Sequence, residues 1–144
     1  MTNLRAEGLK VFRELLPGAL PEDDGDVDFG DGFAAELMDI GVESIFGKLW
    51  SRDGLSLRDR SLVTLGLLIA LGADDELMYH FRIARNNGLT DEELAEVIYH
   101  STGYAGFPAG NKAKAMALRA FGDVEPPPGI EPGTFSLRVR RSTD

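Results

Sequence analysis

An all-α fold is predicted by three observations. Apolar residues recur at helical spacings in successive segments. Caps and stops punctuate those segments. No stretch alternates apolar and polar residues as a half-buried strand would. A first helix is expected over residues 2–16, with Leu4, Leu9, Val11, Phe12, Leu15 and Leu16 on it and Pro17-Gly18 as its stop. A loop follows at 18–31, rich in Asp and Gly, with Glu22, Asp23, Asp24, Asp26, Asp28 and Asp31 in a short span. A solvated connector explains this loop; the carboxylate spacing does not match a calcium-binding helix–loop–helix.

A second helix is expected from about Phe33 to Phe46, with Phe33, Leu37, Ile40, Val42, Ile45 and Phe46 as its apolar face. Ser56 is an N-cap for the third helix, with Asp59 at the capping-box distance, and Gly72 is its stop. Asp74 or Asp75 is expected to cap a fourth helix that ends at Gly88. Thr90-Asp91-Glu92-Glu93 forms a capping box for a fifth helix carrying Leu94, Val97, Ile98, Ser101 and Ala105. Pro108 suits the first turn of a sixth, Ala109 to Phe121. The composition changes at Gly122, where Pro126-Pro127-Pro128-Gly129 and Pro132-Gly133 cannot continue a helix. One helical domain over 1–122 and a Pro/Gly-rich, basic tail over 123–144 are therefore expected.

Composition narrows the function. The chain has 144 residues, the size of one domain, and a formal net charge of -9. That charge opposes nonspecific nucleic-acid binding but does not forbid an anionic substrate, because a local arginine cluster can dominate one pocket. The absence of cysteine removes disulfides, thiolate metal sites and thiol mechanisms. No run approaches the ~20 apolar residues of a membrane span, and the first residues lack a signal-peptide core. The expected location is the cytoplasm, with no membrane and no nucleic-acid partner.

One helical turn stands out chemically. Glu76-Leu77-Met78-Tyr79-His80 puts a carboxylate and an imidazole four residues apart, on one helix face. Such a carboxylate can orient the ring, fix its tautomer and raise its pKa, which is the layout of an acid/base unit. Surface pairs share this spacing. Arg82, Arg85, Asn86 and Asn87 follow within seven residues, so acid/base, anion-binding and hydrogen-bonding groups are concentrated together. Asn87 before Gly88 also reads as a helix C-terminal device. His100, flanked by Glu96 and Tyr104 at i±4, reads as structural or surface.

These segments carry a family resemblance. Gly54-Leu55-Ser56-Leu57-Arg58-Asp59-Arg60-Ser61-Leu62 resembles a helix start of the carboxymuconolactone decarboxylase family. Glu76-Leu77-x-x-His80-x-Arg82-x-Ala84-x-Asn86-Asn87-Gly88 is similar to its central block. Thr90-x-x-Glu93-x-x-Glu96-Val97 and Tyr104-x-Gly106-x-Pro108-Ala109 are similar to the next two. Order and spacing agree from about Leu49 to Ala117, and the upstream helices agree more loosely.

The resemblance implies a bundle of about six helices of the alkylhydroperoxidase/carboxymuconolactone decarboxylase type, assembled as a homo-oligomer, trimer or hexamer. It implies two branches of activity. The hydroperoxidase branch uses a Cys-x-x-Cys pair, which a chain without cysteine cannot supply. The other decarboxylates 4-carboxymuconolactone to 3-oxoadipate enol-lactone in protocatechuate degradation. In that branch Tyr104 is commonly followed by cysteine or alanine, and here Ala105 follows.

On this reading the substrate is a small anionic lactone. Loss of CO2 pushes an electron pair through the ring alkene into the lactone carbonyl, so no cofactor and no metal is expected. His80 and Glu76 are the expected catalytic pair, with His80 as general acid. Arg60, Arg82 and Arg85 are expected to hold substrate carboxylates, and Tyr104 or Asn87 to donate to the lactone oxygen. The alternatives are a relative recruited as an isomerase, dehydratase or cyclase on another enolisable substrate, or a non-catalytic oligomeric binding protein.

Overall fold

The computed structural model describes residues 3–21 and 25–122. The expected tail at 123–144, and Glu22, Asp23 and Asp24 of the acidic loop, lie outside these residues. The described residues are all-helical, with six helices and no strand, and fall into two compact units divided after Leu55. Among them no helix is long and apolar enough to cross a membrane.

In the first unit α1 (Leu4–Leu15) starts at Asn3, whose side chain accepts the Ala6 N–H at 3.1 Å. Helix α2 (Glu36–Gly41) runs without a break into a π-helical segment, Val42–Trp50. This segment packs along α1, and two glycines allow it to come close. A Cβ on Gly8 would lie 2.1 Å from the Val42 carbonyl oxygen, and one on Gly47 2.4 Å from that of Leu4. Phe12 and Phe46 meet edge to face at 4.9 Å beside this contact. Arg5 fixes part of the acidic loop. It bonds Asp26 at 2.7 Å and also engages Asp39 and the Val27 carbonyl.

The expected second helix is corrected here. It extends to Trp50, and its i→i+5 winding changes which residues face inward. Within the π-helical part Val42, Gly47 and Trp50 are buried and Ile45 is exposed; Phe33 lies ahead of the helix, which starts at Glu36, and Leu37 and Ile40 are exposed on its α-helical part. A 3.6-residue period cannot represent a helix wound wider than that.

The second unit holds α3 (Leu57–Leu71), α4 (Asp74–Asn86), α5 (Asp91–Ala105) and α6 (Phe107–Phe121). The Ser56 hydroxyl accepts the Asp59 N–H at 3.0 Å, while the Asp59 carboxylate turns to Arg58 at 4.0 Å instead of closing a box. Gly72, at φ +69°, ends α3 in the left-handed conformation that favours glycine. Neither Asp74 nor Asp75 caps α4; Ala73 holds that position. Both acids and Glu76 lie instead in the first turn, where negative charge suits the helix dipole. Thr90 and Glu93 form both halves of the expected capping box, at 3.1 and 3.0 Å. The core of the unit is Leu65 and Ile69 from α3, Leu77, Phe81 and Ala84 from α4, Leu94 from α5, and Ala113 and Ala117 from α6.

Gly8→Ala is expected to lower stability by about 1–3 kcal/mol, because a backbone carbonyl cannot yield to the added methyl as a side chain can. Thr90→Ala is expected to lower it by about 1 kcal/mol through the lost cap. Urea unfolding of both variants checks this; a Gly8→Ala midpoint equal to the parent's would contradict the close helix contact.

Candidate active site

His80 projects from α4 on the same side as Leu77, Phe81 and Ala84. It is 9% exposed, one of two buried polar side chains among the described residues, and its Nδ1 atom is sealed from solvent. Burial penalises the charged ring and pulls its pKa from 6.5 down to about 4. The imidazole is therefore neutral at pH 7.

This corrects the expected electrostatics of the pair. Glu76 lies one turn earlier but at the solvent edge of α4, and it is exposed. Desolvation, not the carboxylate, sets the proton affinity of His80, and it acts in the opposite direction to the expected rise. The i,i+4 spacing is real. The two side chains nonetheless straddle the boundary between core and water.

Four other candidates find partners outside the expected set. Arg82 donates from Nε to the Ala120 carbonyl at 3.1 Å, tying α4 to the end of α6. Arg85 grips Asp91 with two bonds, at 2.9 and 2.8 Å, and its guanidinium stacks 3.6 Å from the centre of the Phe121 ring. That fork holds the Asp91 carboxyl below its usual pKa. Asn87 donates from Nδ2 to the Leu57 carbonyl at 3.2 Å and to the Ser61 hydroxyl at 2.9 Å. It clasps the end of α4 to the first turn of α3. Tyr104 is 86% exposed and lies beside the His100 ring at 5.2 Å.

Arg60 is half-buried on α3, in the turn that Asn87 clasps, and its Nε is sealed from solvent. Ser61 next to it is 1% exposed. Ser61 escaped the sequence reading as a functional position, although its spacing to Leu65 and Ile69 already put it on the inward face. A groove of about 430 Å³ between α3 and α5 was also missed. Leu62, Gly66 and Val97 line it together with Arg58, Glu93 and His100, and Arg58 pairs with Glu93 across it. Among the described residues no group of three or more His, Asp or Glu side chains is arranged to hold a metal ion.

Two outcomes follow from this geometry. Asn87→Ala removes the donor to the buried Ser61 hydroxyl and one of two donors to the Leu57 carbonyl, and is expected to lower stability by about 1–3 kcal/mol in urea unfolding. A variant as stable as the parent would show that the clasp carries no weight. The second concerns pH. His80 binds a proton more weakly folded than unfolded, so stability declines as pH falls from about 6.5 towards about 4. The loss amounts to roughly 3 kcal/mol at most. His80→Gln should flatten this limb of the stability curve; an unchanged limb would mean that other groups produce it.

The carboxymuconolactone decarboxylase family profile matches residues 35–119, more than half of the chain. A 4-carboxymuconolactone decarboxylase from Acinetobacter baylyi is 49% identical over 87 residues, which are 60% of this chain and 62% of that protein. A nitrosuccinic acid decarboxylase from Metarhizium robertsii is 33% identical over 118 residues, covering 82% of this chain and 81% of its own length. An uncharacterised 15.0 kDa protein from Paracoccus denitrificans is 33% identical over 86 residues, 58% of this chain and 64% of its own. The profile match takes in α2 to α5, most of α6 and every candidate site residue above: this chain belongs to the carboxymuconolactone decarboxylase family.

Proposed function

We propose that this protein is a decarboxylase that converts 4-carboxymuconolactone to 3-oxoadipate enol-lactone, as in protocatechuate degradation. The match to the Acinetobacter baylyi decarboxylase carries the reading, because this chain is 49% identical over 87 residues to a protein of that stated activity. The buried His80 supports it, as a titratable group withdrawn from water on the inward face of α4.

The chemistry asks for little beyond the side chains. The bond from the γ-carbon to the carboxylate breaks and CO2 leaves. Its electron pair moves through the ring alkene onto the lactone oxygen, and the dienolate takes a proton at the α-carbon. The lactone itself is the electron sink. The protein must hold the anion, stabilise the oxygen's charge and deliver the proton.

We assign the proton delivery to His80. The ring is neutral before substrate arrives. A substrate carboxylate beside it favours the imidazolium, so the binding of a di-acid is what charges the donor. Glu76, exposed one turn earlier, returns a proton from solvent in this scheme. Arg60 is assigned to a substrate carboxylate, since a guanidinium fork matches that group. Arg82 and Arg85 contribute only by exchanging the partners they hold in this structure. Tyr104 is assigned to the lactone oxygen, while Asn87 serves the site by fixing the turn that carries Arg60. The working form is a homo-oligomer.

A second reading is favoured by the nitrosuccinic acid decarboxylase, whose match covers more of this chain. A nitro group can take the electron pair as a lactone carbonyl does, so the same residues would serve a different acid. Recruitment to isomerisation, dehydration or cyclisation of an enolisable substrate is a more distant alternative.

Purified protein mixed with 4-carboxymuconolactone should release CO2 and form the enol-lactone. His80→Gln, with folding checked by circular dichroism, should lose at least about 100-fold in kcat. Turnover of nitrosuccinate but not of the lactone would favour the second reading. Turnover of the lactone that survives in the variant would overturn the role of His80.

A further inference from the structure

The groove between α3 and α5 has an apolar floor and an acidic edge. Leu62, Leu89 and Val97 form the floor, and Gly66 leaves a gap in it. A Cβ built on Gly66 meets no atom within 4 Å, so the space above it is open. Glycine inside a helix costs about 1 kcal/mol against alanine, and no contact among the described residues explains it here. A side chain entering the groove from outside would. Glu93 and Glu96 line the edge. Both oxygens of Glu93 are taken, one by the Thr90 N–H and the other by Arg58. Glu96 is exposed, and among the described residues its side chain has no ionic or hydrogen-bonded partner. The groove suits an occupant that is apolar on one side and cationic on the other.

The chain carries such a segment. Phe135, Leu137 and Val139 stand at every second position, an exception to the helical spacings elsewhere. In an extended chain such positions share one side. Arg138, Arg140 and Arg141 stand among and after them, and Thr134 to Thr143 holds no acid, in a chain whose net charge is -9. The lengths agree. An extended chain covers about 13 Å from Phe135 to Val139, and α5 rises about 10 Å from Glu93 to His100. The point of departure agrees too. Phe121, the last residue of α6, stacks on Arg85, which grips Asp91 at the start of α5. The chain thus leaves α6 beside the end of the groove that Leu89 and Glu93 mark. The twelve residues from Asp123 to Thr134 can span up to about 40 Å, more than the roughly 22 Å length of α5.

We propose that Phe135–Arg141 docks as an extended segment in the α3–α5 groove of its own chain. Leu137 fills the gap over Gly66, Phe135 and Val139 rest on the floor to either side, and Arg138 reaches Glu96 at the edge. Three apolar side chains leaving water supply the strength. The exposed ion pair adds little strength and selects the occupant. An acidic partner would meet Glu93 and Glu96 with like charge, whereas this segment brings cations to them. Its tether holds it at an effective concentration that is roughly millimolar, so a weak contact suffices.

Trypsin reads the docking in the full chain, since cleavage after Arg138, Arg140 and Arg141 tracks the undocked population. Gly66→Leu fills the gap and Glu96→Lys makes the edge cationic. Each should speed cleavage there about tenfold, with an unchanged helical spectrum. The absence of native cysteine allows a second test. Under mild oxidation, Val97→Cys combined with Leu137→Cys should close a disulfide within one chain. It should form roughly tenfold faster than with Lys114→Cys in place of Val97→Cys, because Lys114 is exposed on α6 outside the groove. Cleavage as fast in the parent as in both single variants would overturn the docking. So would equal rates for the two cysteine pairs. A disulfide from Val97→Cys with Leu137→Cys that joins two chains would overturn docking within one chain and place the segment on a neighbouring copy.

Discussion

The inward face of α4 carries Leu77, Phe81 and Ala84, all almost fully withdrawn from water, and His80 shares that face. Burying this stripe against α3 and α6 builds the core of the second unit. The same burial removes water from an imidazole that keeps its charge only when solvated or paired. Packing and chemistry therefore meet in one constraint: a helix that must be buried to fold carries a group whose proton affinity depends on that burial. The polar contacts around α4 follow from holding it in place. Arg82 ties it to α6, Arg85 to the start of α5, and Asn87 to the first turn of α3.

How far the sequence reveals this depends on the range of each interaction. Ser56, Gly72, Thr90 and Pro108 act on their own or adjacent turns, and their roles were legible from residue type and spacing. The π-helical winding of Val42–Trp50 was not, because the inward pattern it produces does not follow the α-helical period. Asn87 was legible as an end-of-helix residue. Its partner Ser61, 26 positions earlier, belongs to the tertiary fold. Glu76 and His80 were legible as neighbours on a helix face. Which of them crosses into the core is decided by the helices that pack there, and spacing carries no record of those.

Charge is distributed to match. Carboxylates gather at the starts of α4 and α5, where they meet helix N–H groups, with Lys112 beside Asp74 of α4 and Arg58 and Arg85 beside Glu93 and Asp91 of α5. In the first unit Arg5 does similar work against Asp26 and Asp39. The middle of α3 is the exception, apolar on both sides and without charge. A strongly acidic chain that keeps one exposed helix face neutral leaves that face free of the repulsion its other surfaces carry.

The central claim is that burial holds His80 neutral and that an anionic substrate reverses this. An NMR titration of the His80 ring tests it most directly, and the chain has only one other histidine, His100, to separate from it. The account predicts a midpoint near 4 in the free protein and a rise towards neutrality with a bound di-acid. A midpoint near 6.5 in the free protein, unmoved by the di-acid, would contradict it.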